Sequence, residues 1–184
     1  SLKLKDYSAV FLVFGFVFAK RNIELVLKNI DPTSEVLIIA GDYNVDLEYY
    51  ETLKQLVELR NLRHCVKFLG FVDNDTLSSL IEVATAIIFT NRGGVQNWNT
   101  SFLLSCYSFR PVIYLYDIMK GKPKLSGFTG TEIDFGMSEC RSEMLRSIMD
   151  DVKESSSTQF RQFNMNDIWE QVYNDHCFQF ERFT

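Results

Sequence analysis

The sequence has little of what several classes of protein require. It contains two histidines, His64 and His176, and four widely spaced cysteines that form no Cys-x-x-Cys pair. A His/Cys metal site is therefore not expected, and such cysteines are typical of reduced thiols in a cytoplasmic protein. No apolar run approaches the roughly 20 residues that span a bilayer. The net charge of −5 disfavours broad binding to nucleic acid.

What is present favours one globular domain over residues 1–184. Hydrophobic residues make up 46% of the chain and charged residues 23%, which is enough apolar material for a proper core. Short apolar runs predict buried strands at residues 10–17, 36–40, 66–69, 86–89 and 112–116. Helical spacing follows each strand, and we expect Asp75 to cap the helix at 76–83. A further helix is predicted through residues 168–173.

Strands and helices alternate with short connections, which predicts a Rossmann-like, three-layer α/β/α fold with a mainly parallel sheet. Ligands of such sheets bind at the carboxyl ends of the strands. Residues 90–101 place a polar loop with Gly93 and Gly94 before a helix that begins near Thr100 and Ser101. Unpaired N–H groups at a helix start favour phosphate. Plain helix capping by the two hydroxyls is the alternative reading.

Four segments, in this order, resemble motifs of one enzyme family. Residues 14–25 run from a strand ended by Gly15 through a basic loop with Arg21 into a helix. Residues 36–41 are similar to a "L-x-I-A-G" strand, and residues 66–72 to a "V-x-F-x-G-F-V" strand and turn. Residues 99–113 are similar to a helix start followed by "G-R-P-V-I". Together they resemble the C-terminal half of group 1 glycosyltransferases of the GT-B architecture.

The resemblance implies a donor-binding domain that serves transfer of a sugar from a UDP- or GDP-sugar to an acceptor hydroxyl, such as a mannosyl or other hexosyl transfer in glycoconjugate synthesis. It implies no metal and no cofactor, because basic side chains and a helix N-terminus balance the leaving diphosphate. The N-terminal acceptor domain is not found in this chain, so we expect the isolated chain to be inactive. Peripheral membrane association of the full-length enzyme and a homodimer of the isolated domain are left open.

The same resemblance suggests which residues bind the donor. Gly15 would let the backbone approach it closely, and Arg21 falls at the diphosphate-binding basic position. The turn that cradles the base would contain Phe71 and Val72. The phosphate-facing helix start corresponds to Asn99, Thr100 and Ser101. No catalytic residue is identified.

Two positions favour a different function. Gln96 and Leu104 stand where many members of the family carry glutamates. A catalytically inactive GT-B-like binding module is therefore an alternative, and a GT-B-like sugar-nucleotide epimerase is another. The sequence leaves the base, the sugar and the acceptor open.

Overall fold

The computed structural model describes residues 4–96, 99–108, 110–117, 119–120, 134–137 and 142–155. Strands and helices alternate through most of these residues. The strands are β1 (Ala9–Phe14), β2 (Glu35–Ala40), β3 (Val66–Gly70), β4 (Ala86–Phe89), β5 (Val112–Leu115) and β6 (Asp134–Met137). The helices are α1 (Ile23–Asn29), α2 (Leu47–Leu59), α3 (Asn74–Val83), α4 (Thr100–Tyr107) and α5 (Ser142–Ser155).

Within the described residues, six strands form one sheet in the order β3-β2-β1-β4-β5-β6. Every neighbouring pair in that sheet is parallel. The chain moves outward from β1 to β3 and then returns to the other side of β1 with β4. The switch point of the sheet therefore lies between β1 and β4, where ligands of such folds bind. The predicted Rossmann-like α/β fold is confirmed.

The sheet is covered on both faces, which explains its near-continuous apolar strands. Helices α1, α2 and α5 pack against one face, and α3 and α4 against the other. Residues of β1 alternate between the two layers, with Ala9, Phe11 and Val13 in the first and the residues between them in the second. Each fully buried large apolar side chain contributes roughly 1.5–3 kcal/mol. None of the described helices is long and apolar enough to cross a membrane.

The structure corrects several predicted boundaries. Strand β1 stops at Phe14 because Gly15 has a φ of +100°, which ends the extended backbone. Helix α3 begins earlier than expected, since Asp73 rather than Asp75 accepts a hydrogen bond from the Thr76 N–H at 2.7 Å. Strand β6 was not predicted. The helix predicted through residues 168–173 lies outside the described residues.

The last described helix, α5, is held to the sheet by a buried charge. Glu35 is fully buried at the start of β2. Its carboxylate accepts two hydrogen bonds from the Arg146 guanidinium, at 2.9 and 2.7 Å, and lies 3.3 Å from Lys153 Nζ. The guanidinium also donates to the Asn29 carbonyl at 2.6 Å. A bidentate pair of this kind fixes both distance and orientation.

Replacing Glu35 by Gln is expected to lower the free energy of unfolding by about 3 kcal/mol. The change leaves Arg146 and Lys153 without the carboxylate that they face, and breaking a buried pair from one side is costly. Chemical denaturation measures the effect. Asp150→Asn is the control, because it removes the exposed partner of Arg146 and should cost less than about 1 kcal/mol. Equal stability of the Glu35→Gln variant and the wild type would contradict this account of α5.

Candidate functional site

A cavity of about 200 Å³ lies at the carboxyl edge of the sheet. The loops that follow β1, β2 and β3 form its walls, together with the first turns of α3 and α4. It is open to solvent along one side. The residues that line it are Phe14, Gly15, Phe16, Ala40, Gly41, Asp42, Phe71, Val72, Asn74, Leu77, Ser101 and Leu104.

Two glycines bring the backbones after β1 and β2 into direct contact. The Gly15 N–H donates to the Ala40 carbonyl at 3.0 Å. A Cβ atom added to Gly41 would lie 1.7 Å from the Gly15 carbonyl oxygen. A Cβ atom added to Gly15 would lie 2.6 Å from Ser101 Oγ, so α4 also approaches closely. A side chain at either glycine would therefore displace a wall of the cavity.

Arg21 is buried beneath the Gly15 turn, with only 4% of its surface exposed. One terminal nitrogen donates to the Phe14 carbonyl at 2.8 Å, and the guanidinium carbon lies 5.0 Å from the centroid of the Phe89 ring. Nη1 lies 3.4 Å from the position that a Gly15 Cβ would occupy. Among the residues that the structure describes, none forms a hydrogen bond with Nε. The guanidinium thus lies on the same side of Gly15 as Ser101.

Burial lowers the pKa of Arg21 to about 10, and the nearby Tyr49 acts weakly in the opposite direction. The side chain is still protonated at neutral pH. Among the described residues, no carboxylate forms an ion pair with it. A buried cation without a counterion is costly, and the cost falls when an anion binds next to it.

The turn that carries Arg21 is fixed by the backbone conformation of Asn22 and by hydrogen bonds from Thr90. Asn22 has a φ of +53°, a conformation in which Asn is tolerated better than most residues. The Thr90 hydroxyl, at the end of β4, lies 3.0 Å from the carbonyl oxygens of both Arg21 and Asn22. Strand β4 therefore positions the basic turn against the end of β1.

The three residues predicted at the start of α4 have different positions. Asn99 caps the helix, since its side-chain oxygen accepts from the Phe102 N–H at 3.0 Å. The expectation of a hydroxyl cap is therefore wrong. Thr100 is exposed and does not line the cavity, whereas Ser101 does. The structure thus brings Gly15 and Ser101 together in the cavity wall, with Arg21 buried behind Gly15, and leaves Asn99 and Thr100 outside the lining.

Phe71 and Val72 line the other end of the cavity, after β3. The Phe71 side chain is 83% exposed, and that of Phe16, across the cavity mouth, is 61% exposed. Sequence reasoning missed Phe16, Asp42, Asn74 and other lining residues. Phe16 lies inside the strand predicted at residues 10–17, which gave no signal, whereas Asp42 lies just after the predicted strand at 36–40 and Asn74 just before the predicted helix cap.

The glycines of the polar loop do not line the cavity. A Cβ atom added to Gly94 would lie 2.5 Å from the Asp117 nitrogen, so this glycine is required for close packing on the end of β5. Gly93 has open space around it. Arg92 pairs with Glu24 at 2.6 Å, and the loop therefore supports the start of α1. Within the described residues, no group of three His, Cys, Asp or Glu side chains is arranged to hold a metal ion.

The chain is thus an α/β domain with a cavity at the carboxyl edge of its sheet, and solved structures share this fold. No known family model matches the chain, and no curated protein matches it either. A glycosyltransferase from Rickettsia africae superposes with a TM-score of 0.67 at 12% identity, over 91% of this chain and 43% of that one. Anabaena Alr3699/HepE in complex with UDP and glucose gives 0.60 at 16% identity, over 94% and 49%.

The C-terminal domain of a group 1 glycosyltransferase, LpcC from Francisella tularensis, is also similar. It gives a TM-score of 0.59 at 15% identity, over 90% of this chain and 86% of that domain. The chain spans less than half the length of the Rickettsia and Anabaena proteins. It therefore has the fold of the C-terminal half of a GT-B glycosyltransferase.

Proposed function

We propose that this chain is the donor-binding half of a glycosyltransferase that transfers a sugar from a UDP- or GDP-sugar to an acceptor hydroxyl. The observation that carries the proposal is the buried, positively charged Arg21, placed against Gly15 and Ser101 at the carboxyl edge of the sheet. The fold of the similar glycosyltransferases supports it, as does the UDP bound to the Anabaena protein.

The diphosphate would lie between Gly15 and the start of α4. Gly15 has no side chain to keep the phosphates away, and the Ser101 hydroxyl and the first N–H groups of α4 can donate to them. Arg21 adds a fixed positive charge in a region of low dielectric, where its attraction is stronger than in water. Fixed donors of this kind stabilise the charge that develops on a leaving diphosphate.

The base would lie at the other end of the cavity, after β3. Phe71 presents an exposed aromatic face there, and Val72 adds an apolar contact. A planar base can stack on such a ring and remove it from water. This arrangement does not by itself select uracil over guanine.

The acceptor domain would cover the cavity from the carboxyl edge of the sheet. Large apolar side chains are exposed there, four of them in the loops that follow strands and one at the first residue of α2: Phe16, Val45, Phe71, Met119 and Leu47. Such a concentration of exposed apolar surface is typical of an interaction site. Transfer needs both halves, so the isolated chain would bind donor without turnover.

An inactive binding module is the second candidate function. It is favoured by Leu104, which presents an apolar side chain to the cavity at a position where many members of the family resembled carry a glutamate. Sugar transfer by the full-length protein distinguishes the glycosyltransferase from the inactive binding module. A full-length protein that folds and binds a nucleotide diphosphate, but transfers no sugar across a panel of donors and acceptors, would favour the binding module.

Calorimetric titration with UDP, GDP and AMP tests the proposed site. We expect saturable binding of one nucleoside diphosphate and much weaker binding of AMP, which lacks the second phosphate. Ser101→Ala should weaken that binding about tenfold, because it removes a hydrogen bond to a charged group. Thr100→Ala is the matched control, since this neighbouring hydroxyl lies outside the cavity, and it should leave affinity unchanged. Absence of binding at millimolar UDP and GDP would contradict the proposal.

A further inference from the structure

Asp42 carries the one carboxylate among the described residues that line the cavity. It follows Gly41 directly at the end of β2. A negative charge is unexpected in a pocket whose proposed ligand carries phosphates, because like charges repel. Its position within the pocket therefore needs a separate explanation.

The side chain of Asp42 is oriented by its own loop. Oδ1 accepts hydrogen bonds from both the backbone N–H and the side-chain amide of Asn44, each at 2.9 Å. The Asp42 carbonyl accepts from the Val17 N–H at 2.8 Å, which joins the loops after β1 and β2. No described residue donates to Oδ2. One oxygen is thus used to fix the loop, and the other is available to a ligand.

The order of the strands places Asp42 between the two ends of the proposed nucleotide site. Arg21 and Ser101 lie beside the end of β1, and Phe71 follows β3. Strand β2 runs between β1 and β3, and neighbouring strands are about 4.8 Å apart. In a nucleoside diphosphate the sugar likewise lies between the phosphates and the base. The middle of the site therefore corresponds to the ribose.

We infer that Asp42 Oδ2 accepts hydrogen bonds from the ribose hydroxyls of the bound nucleotide. This inference rests on the proposed function and adds a specificity-determining residue to it. Hydroxyl groups donate to a carboxylate in short, charge-assisted bonds, and the same carboxylate repels phosphate. Asp42 thus selects a ribose over a deoxyribose and sets the direction in which the nucleotide lies.

The test compares UDP with 2′,3′-dideoxy-UDP, or the guanine pair if GDP is the ligand bound. The wild-type chain should bind the dideoxy compound at least about tenfold more weakly, because this compound lacks both hydroxyls and the loss of one charge-assisted hydrogen bond already costs about that much. Asp42→Asn keeps the oxygen that holds Asn44 and replaces the free acceptor by a donor. We expect this variant to bind the two compounds within about twofold of each other.

Asp75→Asn is the matched control, because it removes the same charge from an exposed residue in the first turn of α3 that does not itself line the cavity. It should keep the wild-type ratio of affinities. An equal affinity of the wild-type chain for both compounds would overturn the inference, and this measurement needs no variant to fold. An unchanged ratio in a folded Asp42→Asn variant would overturn it as well. If either result is obtained while UDP still binds, only the role of Asp42 is rejected and the proposed function stands. If neither UDP nor GDP binds, the proposed function and the role of Asp42 are both rejected.

Discussion

Replacing Gly41 by Ala is expected to cost at least about 4 kcal/mol of stability, or to prevent folding. The added Cβ would lie 1.7 Å from the carbonyl oxygen and 2.7 Å from the carbonyl carbon of Gly15. Both are backbone atoms, so no side-chain rotation relieves the overlap. The ends of β1 and β2 would have to move apart, although the two strands are paired along their full length.

Thermal and chemical denaturation measure this loss. Gly93→Ala is the control, because Gly93 has a φ of +80° but no atom within 4 Å of the added Cβ. Backbone strain alone should cost that variant about 1 kcal/mol. A Gly41→Ala variant that is as stable as the Gly93→Ala variant would show that the two loops are not packed as described.

Replacing Arg21 by Met is expected to weaken binding of the nucleoside diphosphate at least about 30-fold while the chain still folds. The loss follows from removing the buried positive charge next to the proposed phosphate position. Stability should change by less than about 2 kcal/mol, because two effects oppose each other. The Phe14 carbonyl loses its donor, but a buried cation without an ionic partner is removed and an apolar side chain packs against Phe89 instead.

Calorimetry and denaturation of the same variant separate these effects. Arg92→Met is the control for charge, since Arg92 is exposed and pairs with Glu24 outside the cavity, and it should change affinity little. Because the pKa of Arg21 is about 10, its contribution to binding should be constant from about pH 7.5, where the terminal phosphate is fully ionised, to about 8.5, and should fall as the pH rises through 10. Unchanged affinity in the Arg21→Met variant would contradict the assignment of the anion site.

Arg21 illustrates which features of the candidate site could be predicted from the sequence and which could not. Its basic character and its place before a helix were visible in the sequence, and the resemblance to group 1 glycosyltransferases led to the prediction of a diphosphate contact. Its burial was not visible, because the covering groups come from distant segments. Phe89 lies on β4, and Thr90 at the end of that strand holds the turn. An exposed arginine was an equally good interpretation of the sequence.

The start of α4 is a second example. Asn99, Thr100 and Ser101 are all residue types that cap helices, and the sequence did not distinguish their roles. The backbone makes Asn99 the cap, which frees Ser101 to face the cavity and turns Thr100 to solvent. Which hydroxyl faces the cavity was therefore decided by the direction of the helix relative to β1.

The sequence by itself determined the alternation of strands and helices and hence the class of fold. Runs of apolar residues long enough for a buried strand, and helical spacing between them, depend on neighbours along the chain, so they are visible without coordinates. Strand β6 was not predicted, because it lacks a pattern of sufficient length among neighbouring residues. It has four residues, Asp134–Met137, and the alternation of two apolar residues, Phe135 and Met137, is too short to indicate a strand.

The arrangement of residues around the cavity depends on tertiary contacts and could not be predicted from the sequence. The contact of Gly15 with Gly41, the burial of Arg21 under β4 and the place of Asp42 between the ends of β1 and β3 all join segments that are far apart in the chain. They arise from the order of the strands in the sheet, which local propensity does not encode. Loops that follow parallel strands converge at one edge, so packing, rather than any single motif, assembled the cavity and its charges.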